Sequence, residues 1–148
     1  MNTEYKARRM PDNDKVNGKY VDYEIALVET AKCGDVGAMK LLLDSNVNID
    51  AKDHDGRTAL IIAACHSNFE IMERLIDRGA DINARDHYGW SALTEAIFYN
   101  DYTMADFLLD NGAEFDSKDN EVLTNLSLAV ADGNLKLARL LRNNGNYY

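Results

Sequence analysis

From residue 53 onward, hydrophobic and polar positions recur with a period of 33 residues. The stretch DHDGRTALIIAACHSNFEIMERLIDRGADINAR (53–85) aligns without a gap over DHYGWSALTEAIFYNDYTMADFLLDNGAEFDSK (86–118), and over the shorter DNEVLTNLSLAVADGNLKLARLLRNNGNYY (119–148). The matching columns include Asp53, Asp86 and Asp119; Thr58, Ser91 and Thr124; Leu60, Leu93 and Leu126; Ala63, Ala96 and Ala129; Leu75, Leu108 and Leu141; and Gly79, Gly112 and Gly145. Inside each repeat two apolar-periodic stretches follow one another. The second places Ile71, Leu75 and Ile76, then Met104, Leu108 and Leu109, then Leu137, Leu140 and Leu141, at helical spacing. The pattern predicts two short antiparallel helices per repeat, joined by a tight turn.

The polar columns fit the ends of those helices. Thr58, Ser91 and Thr124 stand where a first helix starts, and a hydroxyl there accepts from an orphan backbone N–H. Asn68, Asp101 and Asn134, with Asp35 earlier in the chain, precede the second helices. Ala63, Ala64, Ala96 and Ala129 allow neighbouring helices to approach closely. Gly79, Gly112 and Gly145 fit the left-handed residue that closes a helix. The segments GADINARDHYG and GAEFDSKDNEV read as extended, hairpin-like connections.

With DGRTALIIAA, LIDRGADINA and LLDNGAEFD in view, the chain resembles the ankyrin-repeat family over about residues 21–148. The resemblance implies an all-α solenoid of helix-turn-helix pairs joined by β-hairpin-like loops, about four repeats including two caps. Residues 1–20 form a polar N-terminal tail, 21–52 an N-terminal capping repeat, 53–85 and 86–118 full repeats, and 119–148 a C-terminal capping repeat. The first repeat lacks the opening Asp and Gly, and the last has Val122 where Gly56 and Gly89 stand. The proline that follows the capping hydroxyl in the family is replaced by Ala59, Ala92 and Asn125, and the next histidine by Ile61, Thr94 and Ser127. Loss of that histidine removes an inter-loop hydrogen bond and predicts looser repeats.

Composition narrows the function classes. The formal charge is −9, and residues 1–20 carry five basic against three acidic side chains, so the remainder holds −11. Such a body repels a phosphate backbone, which predicts no direct nucleic-acid binding. No apolar run reaches the roughly 20 residues that cross a bilayer, and the N-terminus has no apolar targeting core, which predicts no membrane contact and a cytoplasmic location. Cys33 and Cys65 have neither metal-ligand nor disulfide-framework spacing and read as reduced thiols. The segment KARR in the tail is too small a basic cluster to change this picture.

Candidate chemistry is sparse. His54 and His87 occupy the same position in adjacent repeats, which predicts a surface ladder about 10 Å apart, too wide to share a zinc ion. Asp53 with Asp55 and Asp81 with Asp86 read as turn caps or solvated acids. Adjacency of Cys65 and His66 does not supply the geometry that a nucleophile and its base require. The sequence therefore predicts no catalytic residues, no metal and no cofactor: the protein is not an enzyme.

Aromatic residues set one region apart. DHYGWSALTEAIFYN (86–100) contains the chain's only tryptophan, Trp90, with Tyr88, Phe98 and Tyr99 beside it. The family resemblance implies that hairpin tips and the exposed side of the first helices form a concave, partner-selecting surface. Carried over by position, that surface takes His54, Asp55, Arg57, Cys65 and His66; then His87, Tyr88, Trp90, Phe98 and Tyr99; then Asn120, Glu121, Leu123, Ala131 and Asp132; with Lys32 and Cys33 from the first repeat. Trp90 aligns with Arg57 and Leu123, and Tyr88 with Asp55 and Glu121, so repeat packing explains neither ring. Trp and Tyr dominate interface hot spots, and a polar rim surrounds them. The expected function is a protein-protein interaction module that regulates or inhibits one partner. The acidic rim of Asp55, Glu121 and Asp132 favours a partner with a basic surface, for instance a toxin held by an immunity-type inhibitor. The alternative is a self-assembling scaffold using the same aromatic patch; the oligomeric expectation is a monomer or weak self-association.

Overall fold

The computed structural model describes residues 15–16, 19–20 and 22–114, together with 127, 130–135 and 138 of the last repeat. Thr124, Leu126, Ala129, Leu137, Leu140, Leu141 and Gly145 lie outside the described residues, as do Asn120, Glu121 and Leu123. Within the segment expected to be a polar tail, β1 (Lys15–Val16) pairs antiparallel with β2 (Lys19–Tyr20), Lys15 opposite Tyr20 and Val16 opposite Lys19. Among the described residues three helix pairs follow. These are α1 (Tyr23–Cys33) with α2 (Val36–Leu43), α3 (Ala59–Cys65) with α4 (Phe69–Asp77), and α5 (Ala92–Phe98) with α6 (Tyr102–Asp110).

The first helices form one layer, α1 against α3 and α3 against α5, and each rests on its own second helix. Small residues permit the close approach, since Ala31, Ala63, Ala64 and Ala96 are fully buried. Leu27, Leu60 and Leu93, one per repeat, are each at most 2% exposed and run through the core as a column. In the second layer Ile71, Leu75, Met104, Leu108 and Leu109 are buried as their spacing predicts, and Ile76 is partly buried. Edge-to-face packing of Phe69 on Phe107, with centroids 4.9 Å apart, joins α4 to α6.

Helix ends follow the polar columns closely. The Thr58 hydroxyl accepts from the Ile61 N–H and the Ser91 hydroxyl from the Thr94 N–H, both at 3.3 Å. Asp35 and Asp101 accept from the N–H groups of Ala38 and Met104. Asn68 behaves differently: its side chain makes no cap bond, and its amide donates instead to the Ala31 carbonyl of the preceding repeat at 2.9 Å. At Gly79 and Gly112 the chain turns left-handed, and the paired bonds Ala80 N–H to Leu75 O and Gly79 N–H to Ile76 O complete the helix stop.

A further 33-residue column lies in the turns between paired helices. Gly34, Ser67, Asn100 and Gly133 all have positive φ, at 74°, 55°, 57° and 81°. Glycine serves the outer repeats, whereas the two central ones place a serine and an asparagine in a region that disfavours a Cβ.

Of the two expected hairpin-like connections, 79–89 contains no strand, and 115–122 of the second lies outside the described residues. Among the described residues, the connection that leads into α3 holds one isolated bridge, Lys52 with Thr58. The reason is chemical: the Asp53 carboxylate takes the Arg57 N–H at 2.9 Å, the donor that a longer strand ladder would use. Successive tips also touch, because the His87 N–H donates to the Asp55 carbonyl at 2.9 Å. A Cβ on Gly56 would stand 2.4 Å from the His87 ring, so this tip requires glycine for close approach as well as for its φ of 76°. The main chain thus ties the tips together without the family's missing histidine.

Candidate partner-binding surface

The same device builds both described tips. Asp53 Oδ1 accepts from the N–H groups of Asp55 and Arg57, each at 2.9 Å, and Asp86 Oδ1 accepts from those of Tyr88 and Trp90 at 2.8 and 2.9 Å. One aspartate therefore fixes the two residues that project from each tip. Burial pushes the Asp53 carboxyl up, but the N–H groups and the Arg57 guanidinium outweigh it and hold the group below the ordinary aspartate range. The guanidinium of Arg57 is 3.0 Å from Asp53 and 3.4 Å from Asp55. It braces its own tip rather than standing as a free cation.

Where repeat 53–85 has that ion pair, repeat 86–118 has rings. Trp90, half-buried, meets Phe98 edge to face at 5.1 Å and 63°, and Phe98 meets Tyr99 at 5.1 Å and 90°. Phe98 ends α5 and Tyr99 is its C-terminal cap, so the short helix delivers both rings to the surface beside the tip. Both remain about half exposed, and Tyr88 at the tip is 76% exposed. Phe98 is therefore not an inward-packed core residue. Across the repeat boundary, the Cys65 sulfur and the Tyr99 hydroxyl lie a long 4.0 Å apart.

The remaining predicted residues surround this ridge unevenly. His66 caps the end of α3 and is exposed, as is His87. His54 stands largely in solvent with its Nε2 3.6 Å from Asp55. Asp55 is half-buried and Asp132 exposed.

Sequence reasoning missed Glu95. It lies one helical turn before Tyr99 on α5 and is only 8% exposed. Burial and the negative charge of Asp86 raise its carboxyl above the ordinary range, against the opposing influence of Arg57 and a hydrogen bond with Cys65. Burial and Glu95 in turn push the Cys65 thiol up, which favours the thiol over the thiolate. The column itself carried a mixed signal, since counting by 33 places Glu95 with the hydrocarbons Ile62 and Leu128 but also with Glu29 of the first repeat.

A family model described as ankyrin repeats in three copies matches residues 10–86 and 27–119. The chain belongs to the ankyrin-repeat family. A search among curated proteins finds no match. Ankyrin repeats are generally protein-protein interaction modules and typically non-catalytic. Among the described residues, no group of three or more His, Cys, Asp or Glu side chains is placed to hold a metal ion. No helix among them is long and apolar enough to cross a membrane.

Proposed function

We propose that this ankyrin-repeat chain is a non-catalytic module that binds one protein partner through its concave face and regulates or inhibits it. The observation that carries the reading is the ridge Trp90–Phe98–Tyr99, extended by the exposed Tyr88, which the repeat core does not require. Large rings with few rotatable bonds lose little entropy when buried, and they supply most of the energy at interface hot spots. In this reading Asp55, Arg57, His66, His87 and Asp132 belong to the rim, and the repeat pattern assigns Glu121 and Leu123, which lie outside the described residues, to it as well. The acidic balance of the chain favours a partner with a basic surface, and an immunity-type inhibitor of a basic toxin is one role that fits. The same charge disfavours nucleic acid. The protein is read as cytoplasmic, free of membrane contact and cofactor, and monomeric or weakly self-associating.

The test is capture from the native cell extract by the tagged full chain beside its Trp90→Ala/Tyr99→Ala variant, with mass spectrometry of what is retained. One stoichiometric protein held by the native chain and lost by the variant supports the module. A second reading, self-assembly through the same patch, rests on the exposure of Tyr88 and Tyr99. It predicts recovery of the chain alone and a mass that rises with concentration.

A further inference from the structure

Glu95 shares its 33-residue column with Glu29, Ile62 and Leu128, and Glu29, on the first repeat, differs in being exposed and paired with Lys32. Ile62, its counterpart one repeat earlier, is 1% exposed in the core, and Leu128 is the counterpart one repeat later. Glu95 is nearly as buried, yet among the described residues no cation lies within ion-pair distance of it. Arg57 acts on it only from a distance and is already held by Asp53 and Asp55. The group that hydrogen-bonds to it is the Cys65 thiol, a weak donor. A buried carboxylate without a cation destabilises the fold, and an aliphatic side chain of similar volume removes that cost. Stability of the repeat therefore does not account for the acid. Residues that break a local rule without a compensating gain concentrate at functional sites.

Its position supplies the missing reason. Glu95, Phe98 and Tyr99 fall at i, i+3 and i+4 and so share one face of α5 and its cap. Asp86, whose charge reaches Glu95, anchors the tip that carries Trp90. An aromatic ridge thus borders two carboxylates in a chain of net charge −9. Aromatic faces attract a cation, carboxylates bind it by charge-assisted hydrogen bonds, and the overall charge draws it in. Resting on the protein-binding reading above, we propose that this face receives one basic side chain, an arginine or lysine of the partner protein, between the Trp90–Phe98–Tyr99 ridge and the carboxylates of Glu95 and Asp86. Glu95 is then the residue that selects for charge, while the rings supply contact area.

The experiment selects a random dodecapeptide library displayed on phage against the immobilised full chain, then measures the enriched peptides by titration. Expected are peptides with one shared Arg or Lys near apolar residues. Replacing that residue by glutamine lowers affinity about tenfold, Glu95→Gln lowers it as much, and the two changes together cost little more than either alone. Circular dichroism of Glu95→Gln checks that the helices persist. Peptides that need no basic residue, or that bind Glu95→Gln undiminished, overturn this proposal. If those peptides still require Trp90 and Tyr99, the protein-binding reading stands without it. A library that yields no binder, or binders indifferent to the Trp90→Ala/Tyr99→Ala change, counts against both.

Discussion

Trp90 and Phe98 meet edge to face with their centroids 5.1 Å apart, one ring held by a tip and the other by the end of α5. Tip and helix are thereby joined by a contact that also faces outward. The indole is the chain's only one, so its fluorescence reports this place alone. Phe98→Ala should shift Trp90 emission to the red as the indole gains water, while the far-ultraviolet dichroism of the helices stays unchanged. An unmoved emission maximum would show that Phe98 does not cover the indole in solution.

Ser67 occupies a left-handed position that Gly34 and Gly133 fill in the outer repeats. A Cβ there costs roughly 1–2 kcal/mol, offset in part because glycine gains freedom in the unfolded chain. Ser67→Gly should therefore stabilise by about 0.5–1 kcal/mol and raise Tm by about 2–4 °C. Thermal unfolding followed by dichroism reads the change. Asn100→Gly should gain less, because asparagine tolerates this region better than serine.

The Asp53 carboxylate gathers two backbone N–H groups and a guanidinium. Asp53→Ala leaves those donors without their acceptor and should cost about 1–3 kcal/mol in chemical denaturation. Its pH signature follows from the lowered carboxyl. The folded state binds this proton less readily than the unfolded state. The contribution is full above the ordinary aspartate range and fades as pH falls through the folded value. Acid titration of stability should accordingly be shallower in Asp53→Ala than in the native chain.

Glu95 predicts the opposite slope. Its carboxyl is raised by burial and by Asp86, so the folded state holds the proton more tightly than the unfolded one. Stability from this group is complete below the ordinary glutamate range and is lost as pH rises through the folded value. Glu95→Leu should be more stable than the native chain at neutral pH by about 1–3 kcal/mol, with the advantage shrinking as pH falls through the folded value and gone below the ordinary glutamate range. Equal denaturation midpoints for native and variant at neutral pH would remove the argument that this acid is kept for function.

Most of the scaffold was legible because each repeat writes the same physics in the same columns. The Thr58 and Ser91 caps, the buried Leu60 and Leu93 and the stops at Gly79 and Gly112 each depend on local chemistry that a sequence displays directly. What escaped depends on contacts between repeats. Asn68 looked like a helix cap, yet its amide reaches back to Ala31, and no spacing within one repeat reveals that bond. The expected connection over 79–89 contains no strand, and at both described tips Asp53 and Asp86 take N–H groups that strands would pair. Ser67 and Asn100 hid a left-handed column behind residues that do not advertise it. Of the binding face, Tyr88, Trp90, Phe98 and Tyr99 stood out as rings without a core role. Glu95 did not, since a glutamate near a helix centre looks solvent-facing, as Glu29 in the same column is, and only the buried Ile62 one repeat earlier points the other way.

The central claim is that the aromatic ridge carries the energy of partner binding. Its most direct test is calorimetric titration of the captured partner with the native chain and with the Trp90→Ala/Tyr99→Ala variant. Loss of two hot-spot rings predicts a Kd at least about 100-fold weaker, with the helices of the variant intact by dichroism. An unchanged Kd for a folded variant would contradict the account and move the binding face elsewhere on the repeat stack.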